Sequence, residues 1–525
     1  MMKKLDRKFK EINKCTMFIV GIMIVSALFL VGLTTQKESM HVDEYLTYGL
    51  ANHEWDGNNK INPEYGVKMP ATDVFDPFFY PDNFSIKNVW LNQGHNVHPP
   101  LYYLCFHIFI LATHHFLALK TGILLNIIFH MINIWLVWQI MRKLLSVEYE
   151  AVIGAVMYAF TPIILGNVLF IRMYVLMSAF ILGLTLLFVR EWDKSDRKTF
   201  YIKLGLLSVG GALTHYYFLI YLFFCCLVWG IFILLQRKWK ELVFFIGTMT
   251  AAGGASIAIY PYMIKHLFQG SAGERSFNNL SSLVTLKKNI PPFLKAINNV
   301  YGGFLLAVIF FAVIAFVFKY LSDGRIENKR ISIGRWSVIL IPCVFYFIAV
   351  TWIALMTATR YISPIYPVCI ILLMGLYDRV VSYLTERDSV KWIVGALMVG
   401  ILLNNAYKTY DWSELHLEAE ECINTARSLG VNNECIYVLN LSWHSFPGYQ
   451  EFIQYQNMTF IRDNNLDLLY TEDYVDYDHV VMYFDKNVGE EKIEEILDTM
   501  IERNPGLDTY ERLHEYSYNV AYYLE

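Results

Sequence analysis

Five short stretches of this chain gather residue types able to carry out group transfer. In "HVDEYLTYGL", Asp43 and Glu44 are adjacent carboxylates at the head of an amphipathic stretch. A carboxylate held at a membrane surface can take the proton of a hydroxyl nucleophile. Acidic residues in that position also cap a helix and match its dipole. In "HPPLYYL", His98 stands before Pro99 and Pro100. In "NVLFIRMYVLM", Arg172 sits among apolar residues with Tyr174 close behind, and in "TATRYISPIYP", Arg360 is followed by Tyr361. A guanidinium is always charged and binds oxyanions in two-pronged fashion, which suits a phosphate. The competing explanation for Arg172 is an arginine snorkelling to the interface. His215, in "LTHYYF", marks a break between apolar runs and is a weaker candidate of the same kind.

The elements that must position these residues are membrane helices. Of 525 residues, 55% are hydrophobic and only 17% are charged, against about 25% charged in an ordinary soluble domain. Apolar runs long enough to cross a hydrocarbon core recur along the first four hundred positions. The first, Cys15 to Leu33, follows the basic stretch "MMKKLDRKFKEINK" and has no small-residue cleavage site behind it, so it is expected to stay as a span. The net charge of −4 conceals an asymmetry: from Lys408 onward there are 24 acidic and 7 basic residues. A basic membrane body therefore precedes an acidic, water-soluble tail. Nothing in this composition suits nucleic acid.

Charge also sets the expected topology. Basic clusters lie at Arg142-Lys143, Arg190 to Lys198, Arg237 to Lys240, Lys319 to Arg335 and Arg379 to Lys391. Lys and Arg near spans mark the cytoplasmic side. All five clusters fall there, together with the N-terminus, if about eleven runs cross and the segment after His98 does not. That proline-led segment, with His107, His114 and His115, is expected to be a helix at the outer leaflet, its prolines in the first turn. All the candidate residues and the tail then lie outside. The tail reads as α/β, with strands at "CIYVLN", "MTFIR" and "HVVMYF" and an amphipathic helix at "GEEKIEEILDTMIERN". The expected domains are 1–406, a membrane domain with its first outer loop at about 34–120, and 407–525, a small extracytoplasmic α/β domain.

An acid pair, isolated cations and a dipping helix at one leaflet suit a lipid-phosphate sugar donor. Its polyprenyl tail stays in the bilayer while sugar and phosphate emerge. A carboxylate deprotonates an acceptor hydroxyl, which attacks the anomeric carbon, and the cations stabilise the departing phosphate. One carboxylate base is enough for inversion; Glu44 would orient Asp43, the acceptor or a metal. No cysteine or histidine spacing points to a metal, and a divalent ion is left open. Most of the eight cysteines lie in apolar runs, whereas Cys422 and Cys435 sit in the tail and could pair outside the cell.

In these segments the chain resembles the membrane-embedded GT-C glycosyltransferases. It is most similar to the bacterial branch of the protein-O-mannosyltransferase group, which includes the Rgt-like enzymes, and more distantly to the aminoarabinose transferase that modifies lipid A. "VDEYLTYGLA" corresponds to the group's Asp-Glu in the first outer loop, "HPPLYYL" to its His-Pro-Pro-Leu helix and "IRMYVLM" to its Arg-Met-Tyr segment. "LTHYYF" and "RYISPIYP" correspond to later patterns, and the resemblance covers about residues 10–405. It implies a GT-C-like fold, a polyprenyl-phosphate sugar donor, an extracytoplasmic active site in a multi-pass cell-membrane protein, and Asp43 as the catalytic carboxylate. The acceptor would be a cell-envelope glycan, lipid or protein. Many members carry an acidic residue before Arg-Met-Tyr; here it is Ile171, which removes a second-loop carboxylate. Two rival classes are a lipid or sugar flippase, and an inactive relative whose tail is a binding module. Transporters often show internal repeats and broken helices at mid-membrane; here the ionisable residues gather toward one face.

Overall fold

A computed structural model describes residues 2–57, 60–192, 198–300, 302–321, 333–430, 433–470 and 479–525. Residues 193–197 and 322–332, parts of two of the expected basic clusters, lie outside the described residues. The chain opens with α1 (Met2–Thr35), whose apolar part from Lys14 is long enough to span. Four helices follow in the first loop: α2 (Val42–Asn52), α3 (Ala71–Phe79), α4 (Ile86–Gly94) and α5 (Leu101–Thr113). Then come α6 (Thr121–Leu144), α7 (Glu148–Phe160), α8 (Pro162–Leu169), α9 (Tyr174–Glu191), α10 (Lys198–Ala212), α11 (Phe218–Leu235) and α12 (Trp239–Ile259). The next stretch holds α13 (Tyr262–Phe268), α14 (Ser271–Leu280), α15 (Leu283–Asn299) and α16 (Phe304–Leu321). Last in the membrane body are α17 (Ile333–Ile353), α18 (Tyr366–Leu384) and α19 (Asp388–Thr409).

Among the described residues, eight helices are long and apolar enough to cross a membrane, or ten if each of two bent pairs is one span. All eleven runs expected from sequence are helical. The eleventh is α10, whose described part of 15 residues rises only about 22 Å. The bend of 51° between α7 and α8 falls at Thr161-Pro162, where proline opens a helix and cannot continue one. Helix α5 has 13 residues and rises about 20 Å, short of a hydrocarbon core of about 30 Å. Two prolines precede it, and His114 and His115 end it in the left-handed region at φ 48° and 41°. By length, α5 and α10 are both shorter than the hydrocarbon core.

Two compact units emerge. The first comprises Met1–Gly32, Asn96–Tyr102 and Ile123–Trp412; the second comprises Leu33–His95, Tyr103–Gly122 and Ser413–Glu525. The first is a helical body around a continuous apolar core that includes Trp138, Trp229, Tyr221, Tyr346 and Tyr377. Outward faces of its helices keep large apolar residues exposed, such as Phe223, Leu235 and Val243, as lipid contact demands.

The second unit joins the first loop to the tail. Its sheet runs β1-β3-β2-β4-β6-β5, with β1 Lys68–Met69, β2 Glu434–Leu439, β3 Met458–Arg462, β4 Val480–Asp485, β5 Tyr510–Tyr516 and β6 Asn519–Leu524. Strands β3, β2 and β4 are parallel, and the outer pairings are antiparallel. The central strands are the three expected from sequence; they are continuous apolar runs because both faces are buried. The expected amphipathic helix is Glu490–Arg503. Strand β1 comes from the first loop, so loop and tail share one sheet. An aromatic cluster reinforces the union. Phe446 of the tail stacks on Phe78 with ring centres 5.3 Å apart, and Tyr449 meets Phe75 and Phe79, each at 5.2 Å. Such pairs add about 0.5–1.5 kcal/mol each beyond the area they bury. Cys422 and Cys435 are both free and buried.

Candidate functional site

In the second unit, the acid pair divides. His41 is the N-cap of α2: its Nδ1 accepts the Asp43 N–H at 3.1 Å, while the Glu44 carboxylate accepts the His41 N–H at 2.9 Å. This is a capping box with histidine where serine or threonine usually stands. Glu44 is also bound by Lys37, whose Nζ donates to both carboxylate oxygens at 3.1 and 3.0 Å. Both side chains are fully buried. The same ammonium donates to the Glu414 carbonyl at 2.7 Å. Glu44 is thus consumed by structure, holding the start of α2. The neighbouring Asp43 keeps its carboxylate 21% exposed, 3.9 Å from His41 Nδ1. Sequence reasoning missed Lys37; its signal was a lone lysine between the first span and the acid pair.

The proline-led helix is anchored in the same unit. His107 accepts the Ser85 N–H through Nε2 at 3.0 Å, and its Nδ1 meets Asn52 Oδ1 at 3.1 Å. His115 packs on Tyr80 with ring centres 4.1 Å apart. These histidines are framework.

The first unit collects the remaining candidates at one end of its helices. His98 and His215 have ring centres 6.0 Å apart, and Tyr174 lies 5.6 Å from His215 and 6.4 Å from Tyr361. Tyr217 closes the group against Tyr361 at 5.6 Å. The Arg360 guanidinium lies over the rings of Phe170, at 5.5 Å, and of its neighbour Tyr361, at 5.7 Å. Arg172 is buried on the break between α8 and α9. All six first-unit candidates are therefore one cluster.

Hydrogen bonds fix the backbone that carries it. The Leu101 N–H donates to the Leu213 carbonyl at 2.9 Å, tying the head of α5 to the corner with His215. Asn126 of α6 donates through Nδ2 to the Val168 and Phe170 carbonyls at 3.1 and 2.9 Å. Tyr102 of α5 orients that amide by donating to its Oδ1 at 3.1 Å. Asn126 and Tyr102 were not singled out from sequence, although a polar residue inside an apolar run was the available signal. The Tyr346 hydroxyl donates to the Tyr361 carbonyl at 2.8 Å.

The electrostatics of the cluster favour an anion. Burial, with the Arg172 charge second, pushes the His215 imidazole down to about 3. Part of the His98 surface stays accessible, yet burial and then the charges of Arg172, His215, His266 and Arg360 hold it well below the usual histidine range. Both rings are neutral at physiological pH. The result is two guanidinium charges with neutral imidazole and phenol groups between them, a set able to hold a phosphate ester. Among the described residues, no group of three or more His, Cys, Asp or Glu is arranged to hold a metal.

Residues 97–261 match the dolichyl-phosphate-mannose-protein mannosyltransferase family. That stretch includes His98, Arg172, Tyr174 and His215. By structure, the chain is similar to ArnT from Cupriavidus metallidurans, solved with bound undecaprenyl phosphate, at TM-score 0.52 and 12% identity over 97% of this chain and 98% of that one. It is also similar to the archaeal oligosaccharyltransferase AglB from Archaeoglobus fulgidus, solved with an inhibitory peptide and a dolichol-phosphate, at TM-score 0.47 and 11% identity over 93% of this chain and 71% of that one. A sequence comparison with curated proteins gives no match.

Proposed function

We propose that this chain, a membrane glycosyltransferase of the GT-C superfamily, moves a sugar from a polyprenyl-phosphate donor to an acceptor hydroxyl with inversion at the anomeric carbon. The observation that carries this is the cluster of Arg172, Arg360, His98 and His215, where positive charge is gathered on neutral imidazoles at the end of a helical body. The undecaprenyl phosphate bound to ArnT supports a lipid phosphate as the group received there.

In this mechanism Asp43 takes the proton of the acceptor hydroxyl, and the oxygen forms a bond to the anomeric carbon. The bond from that carbon to the phosphate oxygen breaks, its electron pair leaves with the polyprenyl phosphate, and Arg172 and Arg360 balance the added charge. His98 and His215 hydrogen-bond phosphate oxygens, and Tyr174 and Tyr361 form the walls around them. Glu44 acts through α2, as a positioning residue for Asp43. The sugar is mannose or a related hexose, and the acceptor is a glycan, lipid or protein of the cell envelope. The N-terminus is cytoplasmic; the site and the C-terminal domain are extracytoplasmic, as the basic clusters require.

The test is a purified-protein assay with a radiolabelled polyprenyl-phosphate hexose. Release of polyprenyl phosphate is expected to fall on the order of 10²–10⁴-fold in Asp43→Asn, the range for loss of a general base, with donor binding retained. Turnover unchanged in that variant removes Asp43 as base. Transfer of label across a bilayer without cleavage replaces the enzyme with a flippase.

A further inference from the structure

The sheet of the second unit carries a buried polar pair that sugar transfer does not use. Strands β3, β2 and β4 lie side by side in that order and run parallel. The chain leaving β2, Ser442–Phe452, packs on the face that holds Tyr437 and Tyr483, where the Phe452 ring meets both at 5.1 Å. The chain leaving β4 turns to the other face, where Ile493 and Leu497 of the helix Glu490–Arg503 join Val438 and Phe484 in one core. Neighbouring strands whose exits part in this way mark a topological switch point. Open α/β sheets receive their ligands in the crevice outside the carboxyl ends of such strands.

His444 and Asp485 meet at those carboxyl ends. Asp485 ends β4 and is fully buried. Its carboxylate accepts the N–H groups of Asn440 at 3.2 Å, Leu441 at 3.0 Å and Asn487 at 2.9 Å. His444, on the loop after β2, places Nδ1 2.8 Å from both carboxylate oxygens. An ionised carboxylate only accepts, so the proton of that bond sits on Nδ1. Clasping two loops together accounts for Asp485 and for Nδ1. It does not account for Nε2. The His444 ring is 3% exposed, yet among the described residues no bond is made by its Nε2, which stays open to solvent. Tyr518 stacks on the imidazole with ring centres 4.2 Å apart and planes 5° from parallel, and Trp443 meets it edge-on at 3.9 Å. Both aromatic residues are half-buried, and Asn440 and Asn487 are exposed beside them.

We propose that this crevice binds an uncharged sugar ring. With its proton held on Nδ1, the neutral imidazole offers Nε2 as acceptor to a hydroxyl. The amides of Asn440 and Asn487 serve neighbouring hydroxyls as donors or acceptors, and Trp443 supplies an aromatic surface for the C–H face of the ring. The carboxylates of Asp485 and Asp463, at the ends of β4 and β3, oppose an anion. Lys486 and Lys492 pair with Glu515 and Asp463. The inference stands apart from the transfer mechanism, since it concerns binding alone.

Saturation-transfer NMR on the full chain in lipid nanodiscs, free of sugar detergents, tests it. The probes are methyl mannoside, methyl glucoside and methyl galactoside, with glucuronate and mannose 6-phosphate as anionic counterparts. At least one neutral glycoside is expected to bind, in preference to both anions. His444→Asn keeps an amide donor for Asp485 and removes Nε2. Its affinity for that glycoside is expected to fall about 3- to 10-fold, the equivalent of one hydrogen bond, with the melting temperature nearly unchanged. Trp443→Ala leaves the His444–Asp485 bond in place and is expected to weaken binding roughly tenfold. Failure of all three glycosides to bind, preference for the anions, or wild-type affinity in both variants overturns the site. If His444→Asn does not fold, Trp443→Ala decides alone, and wild-type affinity there overturns it.

Discussion

The acid pair of the second unit and the cation cluster of the first treat buried charge in opposite ways. Around Glu44, opposite charges close on each other: Lys37 binds both carboxylate oxygens inside a fully buried pocket. Around His98, the charges that weigh most on the ring after burial itself are those of Arg172 and Arg360, with His215 and His266 beside them. The first arrangement spends its charges on the fold. The second keeps charge of one sign concentrated, an arrangement that gains from an incoming anion. Adjacent residues can fall on opposite sides of this divide, as Asp43 and Glu44 do.

The largest effect expected outside the reacting atoms comes from breaking the closed pair. Lys37→Met leaves a buried carboxylate without its ammonium, which costs about 3–5 kcal/mol where such pairs have been cut. The variant is expected to lose much of its folded yield and thermal stability. Lys37→Met/Glu44→Leu removes both charges and is expected to recover most of the loss, since an apolar replacement of a buried pair is often neutral. A thermal melt in detergent reads both. A double variant as unstable as the single one would mean that Glu44 matters for more than its partner.

Arg172→Lys sharpens the other half of the contrast. It keeps the charge and removes the two-pronged guanidinium geometry. Donor KM is expected to rise about 10- to 100-fold, the equivalent of one or two charge-assisted hydrogen bonds, with the melting temperature nearly unchanged. If stability falls and KM does not, Arg172 belongs with Glu44 among the structural charges.

The pH dependence of stability gives a smaller effect whose sign is fixed. The His215 imidazole is held at about 3 when folded and returns to roughly 6.5 when unfolded. Between those values the unfolded chain binds more protons, so stability is intact above pH about 6.5 and declines as pH falls below it. The slope is at most about 1.4 kcal/mol per pH unit for one histidine. Melting temperature is therefore expected to drop more between pH 7 and 5 in the wild type than in His215→Gln. A parallel decline in the two proteins would mean that His215 is not the group responsible.

Much of this contrast was legible in the sequence. Lone arginines between apolar runs are conspicuous, and Arg172 and Arg360 do meet His98 and His215 in one cluster. The segment after His98 was expected to be helical, and it forms α5, of 13 residues. What the sequence could not reveal depends on long-range pairing. Lys37 stands out as a lone lysine after the first span, but nothing local says that it will bury itself on Glu44. The two-residue strand β1 has no periodicity to detect, yet it brings the first loop into the tail's sheet. The hairpin β5–β6 escaped because its alternation is interrupted by a register shift between Arg512 and His514.

The smallest effect concerns the framework beneath the open cluster. Tyr102 donates to Asn126, and Asn126 holds the carbonyls of Val168 and Phe170, two to four residues before Arg172. Tyr102→Phe removes one hydroxyl and one hydrogen bond, worth about 0.5–1.5 kcal/mol. It leaves the Asn126 donors able to reach their carbonyls with less fixed direction. Donor KM is expected to rise a few-fold, on the order of the hydrogen bond lost, while kcat stays close to wild type because the proposed base, Asp43, takes no part in this hydrogen-bond network. Asn126→Leu also removes both donors from two buried carbonyls, so its KM should rise further and its melting temperature should fall as well. A purely structural network would lower the melting temperature in both variants and leave KM alone. A rise in KM that is larger for Asn126→Leu than for Tyr102→Phe marks these residues as positioning groups for Arg172. The open cluster would then owe its geometry to neutral hydrogen bonds, where the closed pair owes its own to opposite charge.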